Sequence, residues 1–262
     1  MSTHRFYIAP ERWSVDHLAL EESEAHHCID VLRLGLGSRV VVFNGRGTDI
    51  TAEITAIETG KVSLKGLITT RSEALTCSIT LAQAIPKGKN MDLIVQKATE
   101  LGVGKIVPLL SERTVVQVDK EDAERKREKW TQVVIEAAKQ SGQNWLPEVT
   151  APVAPKQFFS KFDEYELPLV ASLQSDARNL KKVLAAFRDQ HGRRPRSALI
   201  LIGPEGDFTP VETSWAKSAG CIPISLGPIV LRTETAAIYS LSVLAYELQG
   251  EECVNVAERK LL

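Results

Sequence analysis

The sequence predicts two folds in series: a small β-barrel over residues 1–72, then an α/β layer domain with a mainly parallel sheet over 73–250, and a tail over 251–262. Three observations carry this. β-Branched runs separated by Asn44-Gly45 and Thr59-Gly60 are hairpin signals. Beyond the polar stretch Thr70 to Ala74, strands alternate with helices, the rhythm of a parallel sheet. Ala198-Leu199-Ile200-Leu201-Ile202 is apolar without alternation, as a strand covered on both faces must be.

In the barrel, His4 to Ile8 reads as a strand. Ser23 is placed to cap a helix running to Leu34, with Ala25, Cys28, Ile29 and Leu32 on its apolar side. Val40 to Phe43, Thr48 to Ile57 and Val62 to Thr69 complete the strands. In the second domain, Ser78 to Ile85 is a strand, and Asn90 caps a helix whose Met91, Ile94, Val95, Ala98 and Leu101 share a face before Gly102 stops it. A strand over Lys105 to Leu110 leads to a long helix from Asp119 to Gly142. Further strands are expected at Leu167 to Leu173, Ala198 to Ile202 and Cys221 to Leu226, with helices at Ala177 to Gln190, Pro210 to Ala219 and Thr233 to Gln249.

The 262 residues are 44% hydrophobic and 25% charged, with a formal net charge of -1. These values exclude disordered, collagen-like and coiled-coil classes. No run reaches the ~18 to 20 apolar residues of a spanning helix, and MSTHRFYIAP has no leader pattern, so a cytoplasmic protein is expected. Cys28, Cys77, Cys221 and Cys253 lie far apart without a C-x-x-C, and His26 and His27 are adjacent. Neither a disulfide framework nor a metal site is supported.

Two loops join a buried strand to a helix, the place where open α/β sheets bind ligands. The first is Ile202-Gly203-Pro204-Glu205-Gly206-Asp207-Phe208-Thr209-Pro210-Val211-Glu212. Its end is structural: Thr209, Pro210 and Glu212 spell a capping box. Its start is a glycine turn through which backbone amides can approach a ligand. The spacing is that of neither phosphate-binding motif, and Glu205 and Asp207 would repel an anion at ~4 Å by about 1 to 4 kcal/mol each. Ribose hydroxyls, an amino group or a cation suit it better.

The second is Leu226-Gly227-Pro228-Ile229-Val230-Leu231-Arg232-Thr233-Glu234-Thr235-Ala236. Its plain structural reading has Leu231 packed inward, Thr233 capping and Arg232 paired with Glu234. Two such loops, taken as rising from neighbouring strands, favour a site instead. A third segment, Pro86-Lys87-Gly88-Lys89-Asn90-Met91 with Gln96, Lys97 and Glu100, offers lysines that are either phosphate contacts or simply solvated.

Lys87 to Val103, Glu136 to Gly142, Ile202 to Gly206 and Leu226 to Ala236, in this order, resemble the bacterial small-subunit ribosomal RNA methyltransferase E family. The resemblance covers the whole chain. It implies a PUA-like β-barrel that binds RNA, followed by a SPOUT-type methyltransferase domain whose C-terminal part is threaded as a trefoil knot. It further implies a homodimer, S-adenosyl-L-methionine as cofactor, and methylation of uridine N3 in small-subunit ribosomal RNA, with the RNA expected to be met within the assembled subunit. Pattern reading alone gives an unknotted sheet, since knots are nearly absent from proteins.

By the same resemblance, Leu173, Ile202, Gly203, Pro204, Glu205, Gly206, Leu226, Gly227, Ile229, Leu231, Thr235 and Ala236 would line the cofactor pocket. Three positions depart from the family's common residues: Ile229 and Gln143 stand for arginine, and Asp207 for glycine. Uracil N3 is nucleophilic only as the anion, so charge stabilisation and a proton acceptor are needed. Arg232 is assigned to the first and Glu234 to the second. Arg5, Arg33, Arg46, Lys87, Lys89, Lys97 and Arg113 are the RNA candidates.

Two rivals stand beside this reading: a catalytically silent RNA-binding protein of the same fold, and a hydrolase using Glu205 and Asp207. The charge balance constrains both RNA readings. Residues 1–70 carry 7 basic and 9 acidic groups, so RNA must be held by a few placed cations rather than by bulk charge.

Overall fold

The computed structural model describes residues 4–88, 90–114, 120–162 and 164–250. Lys89, Asp119, Cys253 and the tail over 251–262, all singled out above, lie outside the described residues. The chain forms two compact units, one extending to Ala74 and also containing Ile135–Leu146, the other containing Leu75–Val134 and the residues from Pro147 onward.

The first unit is built on β1 (Arg5–Tyr7), β2 (Leu18–Glu21), β3 (Arg39–Phe43), β4 (Thr48–Glu58) and β5 (Lys61–Arg71). They form one sheet in the order β1-β3-β4-β5-β2, antiparallel except for the parallel β1–β3 pair. Register shifts between Thr51 and Ala52 and between Ile54 and Ala56 bend the long hairpin, as bulges do. Ile50, Ala52 and Ile54, alternating along β4, join Phe6, Leu20, Val40, Val42 and Val62 in one buried core.

The helix expected from Ser23 is split. α1 (Glu22–His26) follows β2 directly, with Glu21 as its N-cap and no side-chain capping bond. A π-helical turn continues over His27–Val31. Ser23 is therefore not the cap: the end of β2, which the sequence did not reveal, fixes where the helix starts. Ala25 and Cys28 still point into the core.

Ile135–Leu146 belongs to this unit through a buried polar hub. Asn144, 2% exposed, accepts from the Arg5 guanidinium at 2.6 Å and donates to Asp49 at 2.6 Å and to the Ser72 hydroxyl at 3.0 Å. The Trp145 indole N–H donates to the Ser72 carbonyl at 2.9 Å.

The second unit is a seven-stranded sheet formed by β6 (Ser78–Ala84), β7 (Lys105–Leu109), β8 (Glu148–Val149), β9 (Leu167–Ala171), β10 (Arg178–Asn179), β11 (Ser197–Ile202) and β12 (Ile222–Ser225). Every pair is parallel, in the order β10-β12-β9-β11-β6-β7-β8. The helices are α2 (Asn90–Glu100), α3 (Lys120–Ser141), α4 (Pro155–Ser160), α5 (Leu180–His191), α6 (Pro210–Ser218) and α7 (Thr233–Gln249). Met91, Ile94, Val95 and Ala98 bury the predicted face of α2, and Gly102 ends the segment at φ +74°. Asn90 is its first helical residue rather than its cap.

α5 starts later than expected, capped by Asn179, whose side chain accepts from the Lys181 N–H at 3.0 Å, because residues 178–179 first pair with β12. The capping box on α6 is present as the sequence predicts. α7 packs on α2, β6 and β11. No helix among the described residues is long and apolar enough to cross a membrane.

Candidate functional site

Strand order decides the site. β9 lies between β12 and β11, so the two loops noticed in the sequence do not rise from adjacent strands, and the loop after β9 stands between them. Leu173 lies in that loop, beyond the end of β9 at Ala171. Together the three loops enclose a cavity of about 510 Å³ at the carboxyl end of the sheet.

The β11 loop turns sharply. The Asp207 N–H donates to the Pro204 carbonyl at 3.0 Å, and Gly206 and Asp207 have φ of +90° and +69°. A Cβ on Gly203 would lie 3.1 Å from the Phe208 nitrogen and 3.3 Å from Asp207 backbone atoms, so this position favours glycine. The Glu205 carboxylate accepts from the Lys87 backbone N–H at 3.3 Å. The Arg113 guanidinium donates to the carbonyls of Gly206 and Asp207. Asp207 itself accepts from the N–H groups of Phe208 at 2.8 Å and Leu173 at 3.1 Å.

The β12 loop turns at Gly227, φ +128°, and carries its apolar side chains outward: Ile229 is 75% and Val230 71% exposed. The start of α7 differs from its plain structural reading. Arg232 occupies the N-cap position without a side-chain bond, and the Thr233 hydroxyl donates to the Gly203 carbonyl at 3.4 Å, tying α7 to the β11 loop instead of capping it. No ion pair joins Arg232 to Glu234 among the described residues.

Of the residues predicted to line a pocket, Leu173, Ile202, Gly203, Pro204, Glu205, Gly206, Leu226, Gly227, Ile229, Leu231 and Ala236 surround this cavity, as does Arg232. Thr235 and Glu234 do not. Sequence reading missed Ser172, Gln174 and Ala177, because a three-loop site is visible only once β9 is known to sit centrally, and it gave Asp207 no bond to another loop. Burial pushes the Cys77 and Cys221 thiols up to about 12, which removes them as nucleophiles. Both oxygens of Asp207 accept from backbone N–H groups, which gives this carboxylate an anchoring role in the turn.

The RNA candidates separate by environment. Arg5 is part-buried, bonded to Asn144 and stacked 4.8 Å over the Phe43 ring. Lys97 pairs with Glu100 at 2.8 Å. Arg113 braces the β11 loop. Arg33, Arg46 and Lys87 are exposed.

Comparison with known proteins adds the following. Residues 73–245 match an RNA methyltransferase domain family and residues 20–65 an RNA methyltransferase PUA domain family. The chain is 30% identical over 257 residues to ribosomal RNA small subunit methyltransferase E of Bacillus subtilis, spanning 95% of this chain and 99% of the relative. A methyltransferase from Legionella pneumophila, solved in complex with SAM, superposes with a TM-score of 0.82 at 35% identity, covering 93% of this chain and 97% of that one. The ribosomal RNA small subunit methyltransferase E of Neisseria gonorrhoeae, bound to S-adenosyl methionine, gives 0.80 at 30% identity over 93% and 97%.

Proposed function

The chain belongs to the ribosomal RNA small subunit methyltransferase E family, and on that premise we propose that it transfers a methyl group from S-adenosyl-L-methionine to N3 of a specific uridine in small-subunit (16S) ribosomal RNA. The observation that carries this reading is the three-loop cavity, whose chemistry matches the cofactor. Its volume of about 510 Å³ falls among small-molecule sites of ~300 to 1,000 Å³. Backbone at Gly203 and Gly206 gives close approach, Leu226 and Leu231 offer an apolar wall for an adenine, and Glu205 offers a carboxylate to hydroxyl or ammonium groups. The charged lining residues are Glu205, Asp207 and Arg232, a balance suited to a cationic ligand and unsuited to a polyphosphate.

When bound, the cofactor supplies an electrophilic methyl group. The chain's own contribution is mainly placement, for which good orientation of two reactants is worth ~7 to 11 kcal/mol. Arg232, on the cavity wall and without a side-chain capping bond, stabilises negative charge on the uracil carbonyls as N3 loses its proton. Glu234 lies off the cavity wall in the first turn of α7. We assign it the proton at N3, reached by substrate that extends past Arg232.

RNA is held by Arg33 and Arg46 of the first unit and by Lys87 of the second, all exposed, and Arg5, Lys89, Lys97 and Arg113 complete the set of cations. The protein works in the cytoplasm as a homodimer. Exposed Ile229 and Val230 on the cavity wall support a second copy of the chain as the partner that covers them. We assign the C-terminal part of the chain the knotted threading that the family resemblance implies.

The test is nucleoside mass spectrometry of small-subunit RNA from cells with and without the gene, coupled to methylation by the purified protein. Loss of N3-methyluridine in the deletion strain and its restoration by the wild-type chain are expected. Unchanged N3-methyluridine overturns the proposal.

A further inference from the structure

Asp207 occupies an unusual position. Its φ of +69° lies in the left-handed region, which L side chains other than Asn and Asp rarely adopt. Its side chain does not extend into solvent. One carboxylate oxygen accepts from the Phe208 N–H at 2.8 Å, and the other accepts from the Leu173 N–H at 3.1 Å, 34 residues away and in a different loop. The first bond holds the β11 turn closed; the second reaches across to the loop after β9. Both loops are walls of the cavity.

From this arrangement we infer that Asp207 is a positioning residue which cross-ties the β11 loop to the β9 loop, so that the cofactor cavity stands preformed before any ligand enters. This deepens the reading under Proposed function and rests on it for the identity of the ligand. Leu173 shows why a tie is needed. Its side chain is 62% exposed, so packing cannot anchor it. The Ser172 N–H is held by the Ile224 carbonyl at 2.9 Å and the Gln174 N–H by the Ser172 hydroxyl at 3.2 Å, which leaves the Leu173 N–H as the link from this loop to the β11 loop. On the far side Arg113 braces the carbonyls of Gly206 and Asp207. The turn is thus held on β7's side by the Arg113 cation and on β9's side by the Leu173 N–H, which its own carboxylate accepts. A loop fixed in its bound geometry binds more tightly because less ordering remains to be done on association.

Glycine separates this from a purely conformational role, because it adopts φ +69° without strain. Were backbone shape all that mattered, Asp207→Gly would equal or improve on the wild type. The cross-tie instead requires that Asp207→Gly lose affinity for S-adenosylmethionine by about tenfold or more, and that Asp207→Asn, which keeps one acceptor and tolerates the left-handed region, fall between.

The experiment uses the full-length protein and has two arms. Hydrogen exchange on the unliganded chain should show the Leu173 amide protected in the wild type and exchanging at least about tenfold faster in Asp207→Gly. Calorimetry with S-adenosylmethionine, followed by steady-state kinetics, should rank affinity wild type, then Asn, then Gly, with the loss in KM for the cofactor rather than in kcat. Unchanged Leu173 exchange in the glycine variant, or wild-type affinity in it, overturns the cross-tie. So does a fall in kcat at unchanged affinity, which would put Asp207 in the chemistry. A wild-type protein that fails to bind the cofactor overturns the proposed function, while the exchange arm still reads the tie itself.

Discussion

The carboxylate of Glu212, 1% exposed, receives the Ser111 hydroxyl at 3.0 Å. That bond joins the start of α6 to the loop after β7. The same carboxylate accepts from the Glu112 N–H at 2.9 Å and closes its own capping box by accepting from the Thr209 N–H at 2.9 Å. A buried anion is tolerable only when its acceptor sites are filled, and three donors fill these. Glu212→Ala removes an N-terminal cap box and leaves the Ser111 hydroxyl and the Glu112 N–H without their acceptor. A loss of about 2 to 4 kcal/mol is expected, read as a lower midpoint in urea unfolding. A change below about 0.5 kcal/mol would show that the bonds to the β7 loop carry nothing.

Gly203 tests the cavity from the other direction. Its missing Cβ faces backbone at 3.1 and 3.3 Å, and backbone cannot rotate aside as a side chain does. Gly203→Ala calls for a shift of a few tenths of an ångström in the β11 turn, and about a tenfold loss of S-adenosylmethionine affinity is expected by calorimetry. Wild-type affinity in this variant would mean that the ligand does not depend on the turn.

Arg232 and Glu234 divide the chemistry. Arg232→Ala should lower single-turnover methyl transfer by about 10² to 10³, the usual effect of removing a donor that stabilises developing charge, with cofactor affinity changed less than about threefold. Glu234→Gln should abolish the acid limb of the pH–rate profile. A profile that keeps this limb would show that the proton leaves N3 by another route.

For RNA, salt dependence gives the count. Replacing Arg33, Arg46 or Lys87 by Ala should each weaken binding and reduce the log–log salt slope by ~0.7 to 0.9 per phosphate contact. Equal slopes in filter-binding titrations of all three variants and the wild type would remove these cations from the interface.

Glu24 couples the first unit to pH. It forms an ion pair with Lys139, and both side chains are mostly buried, at 16% and 11% exposed. Burial pushes the Glu24 carboxyl above its ordinary value more than the hydrogen bond and charge of Lys139 pull it down, and nearby Glu136 adds to the rise. Between the unfolded and the native values the native state therefore holds more of this proton than the unfolded chain does. The stability that this proton contributes is complete below the unfolded carboxylate value, ~4.3, and is lost as pH rises through the higher native value. Relative to Glu24→Gln, the wild type should lose stability across that interval in urea titrations at fixed ionic strength. A pH-independent difference between the two would overturn the assignment.

Much of this molecule was readable from residue order. The capping box at Thr209 and Glu212, the apolar face of α2, the β4–β5 hairpin at Thr59-Gly60 and the unalternating strand at Ala198 to Ile202 are local signals. Each depends on a few residues near in sequence, so a periodicity or a turn residue suffices to reveal it. Where reading failed, the deciding partner was distant. β2 moved the start of α1 away from Ser23, pairing of residues 178–179 with β12 delayed α5, and Gly203 drew the Thr233 hydroxyl away from capping α7.

By itself, then, the sequence determined the fold class, the two glycine-bearing loops and the family resemblance, because these reside in local pattern and motif order. Tertiary structure alone decided that β9 separates β11 from β12, so that three loops rather than two enclose the cavity. It also decided that Asp207 reaches Leu173 and that Glu212 reaches Ser111. Strand order in a parallel sheet follows from nonlocal packing and crossover connections, and hydrogen bonds between residues 34 or 101 positions apart leave no periodic trace in the chain.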